Sequence, residues 1–141
     1  LIHNIGELLI QSTLPEEAGL ISLAIQKGSS RVEAQREMLG YDYAQLGAEL
    51  AKRWNLSASF VDAIAQQLDP LSHDPVSKEA VLIRLAVFVS FAWHAGVPAQ
   101  TIITRFPKPL ADQLGLDPAT LADQLEQLHE QGNALADLLT Q

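Results

Sequence analysis

The chain has 141 residues, 48% of them hydrophobic and 18% charged, with a formal net charge of −8 and no cysteine. That size and apolar content suit one domain with a real core, and they exclude a disordered chain, a disulfide framework and any cysteine-based zinc site. The acid is spread evenly, nine acidic against five basic side chains in residues 1–70 and eight against four in residues 71–141, so no basic stripe is available for phosphates and nucleic acid is not an expected partner.

Every long segment has helical period and none alternates like a strand, so an all-α, compact multi-helix domain is expected. The first predicted helix covers residues 1–12, with Leu1, Ile5, Leu8 and Leu9 as its inner face. It begins inside an apolar pattern with no N-cap before it, which predicts a single domain forming the C-terminal part of a longer chain. Thr13, ahead of Leu14-Pro15-Glu16-Glu17, predicts an N-cap with acids in the first turn. The second helix then runs to Lys27, where Gly28 stops it.

Ser29 or Ser30 caps a third helix that ends at Leu39 and Gly40, and Asp42 caps a fourth through Ala44, Leu46, Gly47, Leu50 and Trp54. Ser57 is the expected cap of a fifth, running to Leu68. The stretch Asp69-Pro70-Leu71-Ser72-His73-Asp74-Pro75 reads as a loop, because its prolines and aspartates disfavour a continuing helix. The next helix, from Ser77 to Ala95, is the most apolar and is expected to be the most buried, with Val87 in the core. Arg84 interrupts it, either reaching the edge or pairing with an acid. The run falls short of the ~20 apolar residues of a membrane span, and no signal-peptide pattern is read in the chain.

Val97-Pro98 starts a short helix to Arg105, and Pro107 and Pro109 break the chain again. Asp117-Pro118 begins the last helix, whose stripe is Leu121, Leu125, Leu128, Leu135 and Leu139. Gly132-Asn133 is expected to kink or split it.

Several of these stretches carry a resemblance. They are Leu1-Ile2-His3-Asn4-Ile5-Gly6-Glu7-Leu8, Leu39-Gly40-Tyr41-Asp42-Tyr43-Ala44-Gln45-Leu46-Gly47-Ala48 with Trp54 beyond, and Gln66-Gln67-Leu68-Asp69-Pro70. Ile83-Arg84-Leu85-Ala86-Val87 and Leu114-Gly115-Leu116-Asp117-Pro118 complete the set. Together they resemble the HD superfamily of metal-dependent phosphohydrolases, and within it the HDOD family of bacterial signalling domains. The resemblance implies a site that holds metals with a His-Asp pair and a later Asp, with further histidines in some members.

Here the pair reads His3-Asn4. Tyr43 stands where the G-x-D-H-A-x-x-G pattern has its His, Gln66 and Gln67 stand where a His-His pair precedes a proline, and Val87 takes the place of the later Asp. A metal needs deprotonated or strongly basic ligands in a fixed shell. His3, Asn4, Tyr43, Gln66, Gln67 and Val87 are therefore read as vestigial-site positions, with no catalytic residue, no bound metal and no cofactor. Taken singly, each has a plainer role: His3 as a hydrogen-bonded interior histidine, Asn4 as a cross-link between helices, Gly47 as a close approach, Trp54 as core or edge anchor. No glycine-rich phosphate loop, H-E-x-x-H helix or cysteine nucleophile competes.

The resemblance implies a non-catalytic regulatory or protein-interaction module in bacterial signal transduction. Its expected partner is another protein or an attached signalling domain, not nucleic acid or a membrane; an oligomer is possible, and the location is cytoplasmic. Two other readings stay open. One is a degenerate metal-dependent phosphohydrolase acting on nucleotides or cyclic dinucleotides. The other is a small-ligand sensor in which Asn4, Tyr43 and the glutamines line the vacated cavity.

Overall fold

Local chemistry decides where most of the helices begin and end. A computed structural model describes residues 2–139. In it, Ser30 and Asp42 each close a capping box: Ser30 with Glu33 starts α3 (Arg31–Leu39), and Asp42 with Gln45 starts α4 (Tyr43–Arg53). Between them Gly40 takes a left-handed φ of 79°, a region open to glycine at no steric cost. Before them lie a 3-10 turn at Ile2–Asn4, α1 (Ile5–Thr13) and α2 (Pro15–Gln26). After them come α5 (Ala58–Gln66), a 3-10 turn at Pro70–Ser72, α6 (Lys78–His94), α7 (Ala99–Thr104), α8 (Lys108–Gln113) and α9 (Pro118–Leu139). The described residues contain no strand, and the all-α expectation holds.

Several local expectations are corrected. Thr13 is the last residue of α1, its hydroxyl donating back to the Leu9 carbonyl at 2.7 Å; Leu14 holds the N-cap position of α2 with no side-chain bond. The buried face of α1 is Gly6, Glu7 and Ile10, while Leu8 points outward. Ser57 occupies its N-cap position without making the capping bond. The segment at Pro107 and Pro109 does not merely break the chain. Pro109 sits in the first turn of α8, where a missing N–H costs nothing. α9 runs from Pro118 to Leu139 as one helix, so Gly132-Asn133 does not split it.

Helix α6 is also less enclosed than its composition suggests. Ala80, Val81, Leu85 and Val89 are buried, but Leu82, Val87 and Phe91 are exposed, so Val87 is not a core residue. A helix apolar on every side gives no phase from sequence; packing alone chooses which stripe is covered.

Contacts divide the chain into two compact units, Leu1–Arg84 and Leu85–Gln141. In the first, α1 packs on α4, α4 on α5 and α2 on α3. Ile10, Ala18, Ile21 and Ala34 form one buried cluster, and Ala48, Ala51, Val61 and Ile64 another. In the second, α7 packs on α9, and Phe88 meets Phe106 edge to face at 6.0 Å.

Candidate functional site

The site is built around the crossing of α1 and α4. A Cβ placed on Gly6 would fall onto the Tyr43 carbonyl oxygen and 2.8 Å from the Gly47 nitrogen. One on Gly47 would meet the Ile64 side chain at 3.1 Å and the Gly6 nitrogen at 3.4 Å. The two backbones thus touch with no side chain between them, as the close-approach reading of Gly47 anticipates.

This contact fixes the turn that precedes α1. The buried Gln67 carboxamide donates to the His3 carbonyl at 2.7 Å and to the Ile64 carbonyl at 2.9 Å, tying the turn to the end of α5. Gln66 accepts from the Ser77 backbone at 3.0 Å, and the Ser77 hydroxyl in turn accepts from the Ala80 N–H in the first turn of α6. Both glutamines are therefore committed to backbone groups.

One turn along α1, on the other side, Glu7 is buried and fully engaged. It accepts from Arg31 at 2.5 Å, Gln35 at 2.6 Å and Gln11 at 3.0 Å. The enclosed Gln35 accepts the Tyr43 N–H at 2.9 Å, and neighbouring Asp42 accepts from Arg36 and the Gln45 backbone. Burial pushes the Tyr43 phenol up; the Arg84 and Arg31 guanidiniums oppose that shift, while Asp42 and Glu7 reinforce it. Glu7, Arg31 and Gln35 were not among the predicted site residues. A lone glutamate inside Ile5-Gly6-Glu7-Leu8-Leu9-Ile10 was the available signal, since a carboxylate on a buried stripe needs partners.

On the opposite side His3 faces an open groove of about 300 Å³. Its walls are carbon from Ile2, Phe60, Ala63, Ile64, Leu82 and Ile83, with Ser59 and Glu79 as its other polar lining. Phe60 and Leu82 are 55% and 57% exposed. Burial pushes the His3 imidazole below its ordinary value, and its ring has no hydrogen bond among the described residues.

Of the vestigial positions in the first unit, the structure brings only some together. His3 and Gln67 meet, through a carbonyl. Tyr43 meets Gly6, by its backbone. Asn4 is exposed ahead of α1 and makes no side-chain hydrogen bond among the described residues, Gln66 serves α6, and Val87 is 38% exposed in the second unit. Neither Asn4 nor Tyr43 lines the His3 groove.

Residues 1–70 match the HDOD domain family. This part of the chain belongs to that family. The HDOD-bearing chain is also similar to a crystal structure named "Putative phosphohydrolase from Shewanella amazonensis SB2B", at 34% identity and a TM-score of 0.80. That likeness covers 93% of this chain and 49% of the Shewanella protein, so the chain spans about half of that protein's length. A comparison with curated proteins found no match.

Among the described residues no three His, Cys, Asp or Glu side chains come together as a metal shell. Of the six matched positions only His3 offers a strong donor. A neutral amide, two committed carboxamides and an aliphatic side chain do not fit a divalent ion. No helix among the described residues is long and apolar enough to cross a membrane.

Proposed function

We propose that this HDOD-type chain is a non-catalytic regulatory module of bacterial signal transduction that works by docking another protein or an attached signalling domain. The observation that carries this reading is the wall of the His3 groove. Where a hydrolase needs charged ligands and water, this groove presents Ile2, Phe60, Leu82 and Ile83. Exposed apolar surface of this kind marks binding more often than bond-making. The carboxylate that could have served as a ligand nearby, Glu7, is instead saturated by three donors.

The second reading, a metal-dependent phosphohydrolase, is favoured by the name of the Shewanella relative. Metal analysis of protein prepared with manganese, iron or nickel, followed by turnover assays on phosphodiesters and cyclic dinucleotides, separates the two. The docking reading expects substoichiometric metal and no turnover, in the parent and in His3→Ala alike. Stoichiometric metal together with turnover abolished by His3→Ala would overturn it and install the hydrolase. A thermal-shift screen of the same protein addresses the small-ligand sensor, for which a groove of about 300 Å³ is large enough.

A further inference from the structure

The two long walls of the His3 groove have the spacing of helix-packing faces. Phe60, Ala63 and Ile64 lie at i, i+3 and i+4 on α5, and Glu79, Leu82 and Ile83 lie at i, i+3 and i+4 on α6. That spacing puts each trio on one side of its helix, the side a neighbouring helix normally covers. Ala63 and Ile64 are buried, whereas Phe60 and Leu82 are 55% and 57% exposed, so the groove has a closed floor and two wet apolar rims.

The rims decide what kind of occupant fits. A small molecule filling about 300 Å³ would leave the outer faces of Phe60 and Leu82 in water, and that volume is at the bottom of the ~300–1,000 Å³ range of pockets that enclose a whole ligand. A helix laid along the trough covers both rims and sends its apolar side chains towards the floor, the mode by which amphipathic helices enter apolar grooves. Charge then selects the helix. Among the described residues Glu79 is the one acidic or basic side chain in the lining besides His3. Burial holds the His3 imidazole below its ordinary value, so near pH 7 it adds no positive charge that would repel a cation. The Glu79 carboxylate accepts a 3.3 Å bond from the Ser77 hydroxyl. Among the described residues it has no cationic partner, whereas Glu7, Asp42, Glu49 and Asp112 all have one.

We infer that the trough between α5 and α6 receives an amphipathic helix of a partner protein, its apolar stripe over Phe60 and Leu82 and a lysine or arginine at its edge against Glu79. Apolar contact supplies most of the affinity, and the ion pair sets the direction in which the helix lies. A net charge of −8 favours the approach of a basic segment. The inference rests on the docking reading above and names the chemistry of its partner.

The test uses the whole chain and three fluorescein-labelled, amide-capped alanine–glutamine helices, followed by anisotropy. The first carries leucine at i, i+3, i+4 and i+7 with lysines flanking that stripe. The second replaces the lysines by glutamates, and the third keeps the lysines and replaces the leucines by serines. The leucine–lysine helix should bind saturably, the leucine–glutamate helix about fivefold or more weakly, and the serine–lysine helix not at all. Glu79→Gln should weaken the leucine–lysine helix about threefold. Glu16→Gln, which removes the same charge elsewhere, should leave it unchanged. Phe60→Ser with Leu82→Ser should abolish binding, with circular dichroism checking that every variant remains helical. Equal binding of the two leucine helices, equal losses in the two glutamine variants, or binding by none of the three would overturn the inference. So would a parent dimer in sedimentation that reverts to monomer in the double serine variant, which would give the groove to a second copy of the chain. Phosphodiester turnover would end the docking reading and leave leucine–lysine binding standing, so the two fail separately.

Discussion

Two regions of the first unit, a few residues apart in sequence, have opposite characters. At the α1–α4 crossing the buried carboxylate is fully engaged: Glu7 has three donors, Gln35 holds both Glu7 and the Tyr43 backbone, and glycines bring the helices into backbone contact. At the His3 groove the walls are carbon, the imidazole is unbonded among the described residues, and Phe60 and Leu82 stand in solvent. The difference shows that a buried carboxylate can persist in a structural role, provided hydrogen bonds replace its hydration. Under the docking reading proposed above, stability belongs to one region and recognition to the other.

That assignment can be broken by substitution. Gly6→Ala should be the most damaging, because its Cβ collides with the backbone of α4, which cannot step aside; a loss of about 3 kcal/mol or more in urea unfolding is expected. Glu7→Ala should follow at about 2–4 kcal/mol, since it leaves the enclosed Gln35 without its acceptor. Arg31→Ala, removing a half-exposed partner of the same carboxylate, should cost only about 1 kcal/mol. If Arg31→Ala proved as costly as Glu7→Ala, the network would owe its strength to charge, not to satisfied burial.

Gly47→Ala sharpens the picture further. Its Cβ meets a side-chain methyl of Ile64, which can shift, and alanine favours the helix, so a net loss of about 1 kcal/mol is expected. In the groove, Phe60→Ser with Leu82→Ser should change unfolding by less than about 1 kcal/mol while abolishing capture of the docked partner. A large destabilisation there would make the groove core, and the contrast between the regions would disappear.

The smallest effect should be the titration of His3. Burial holds its folded pKa below 6.5, so the unfolded chain takes up the proton first. The contribution of neutral His3 is full above about pH 6.5 and is lost as the pH falls from there towards the folded pKa. Between about pH 7.5 and pH 5.5 the parent should therefore lose more thermal stability than His3→Gln. Equal losses would mean that the imidazole is solvated in the folded chain.

Features written in adjacent residues were legible in the sequence. The caps at Ser30 and Asp42 and the left-handed Gly40 involve partners within three or four positions. Thr13 misled because a hydroxyl at a helix junction can bond backwards as readily as forwards. α8 was hidden because proline was read as a breaker where it is a starter. The candidate site was less legible. Glu7 meets Gln35 from 28 positions away, and Gln67 meets His3 from 64, so neither pairing leaves a local trace. Family resemblance grouped His3 with Gln66 and Gln67 as positions of one site, but it could not show that the glutamines would serve as ties to the backbone.

The crossing at Gly6 and Gly47 has a mechanical consequence. Between helices separated by side chains, rotamers can absorb a movement; helices in backbone contact lack that slack and transmit strain directly. α1 and α4 therefore have little side-chain freedom with which to shift against each other. His3 lies before one of them and Asp42 at the start of the other, so a push delivered in the groove would be felt at the Arg36–Asp42 pair without any intervening side chain having to change its rotamer.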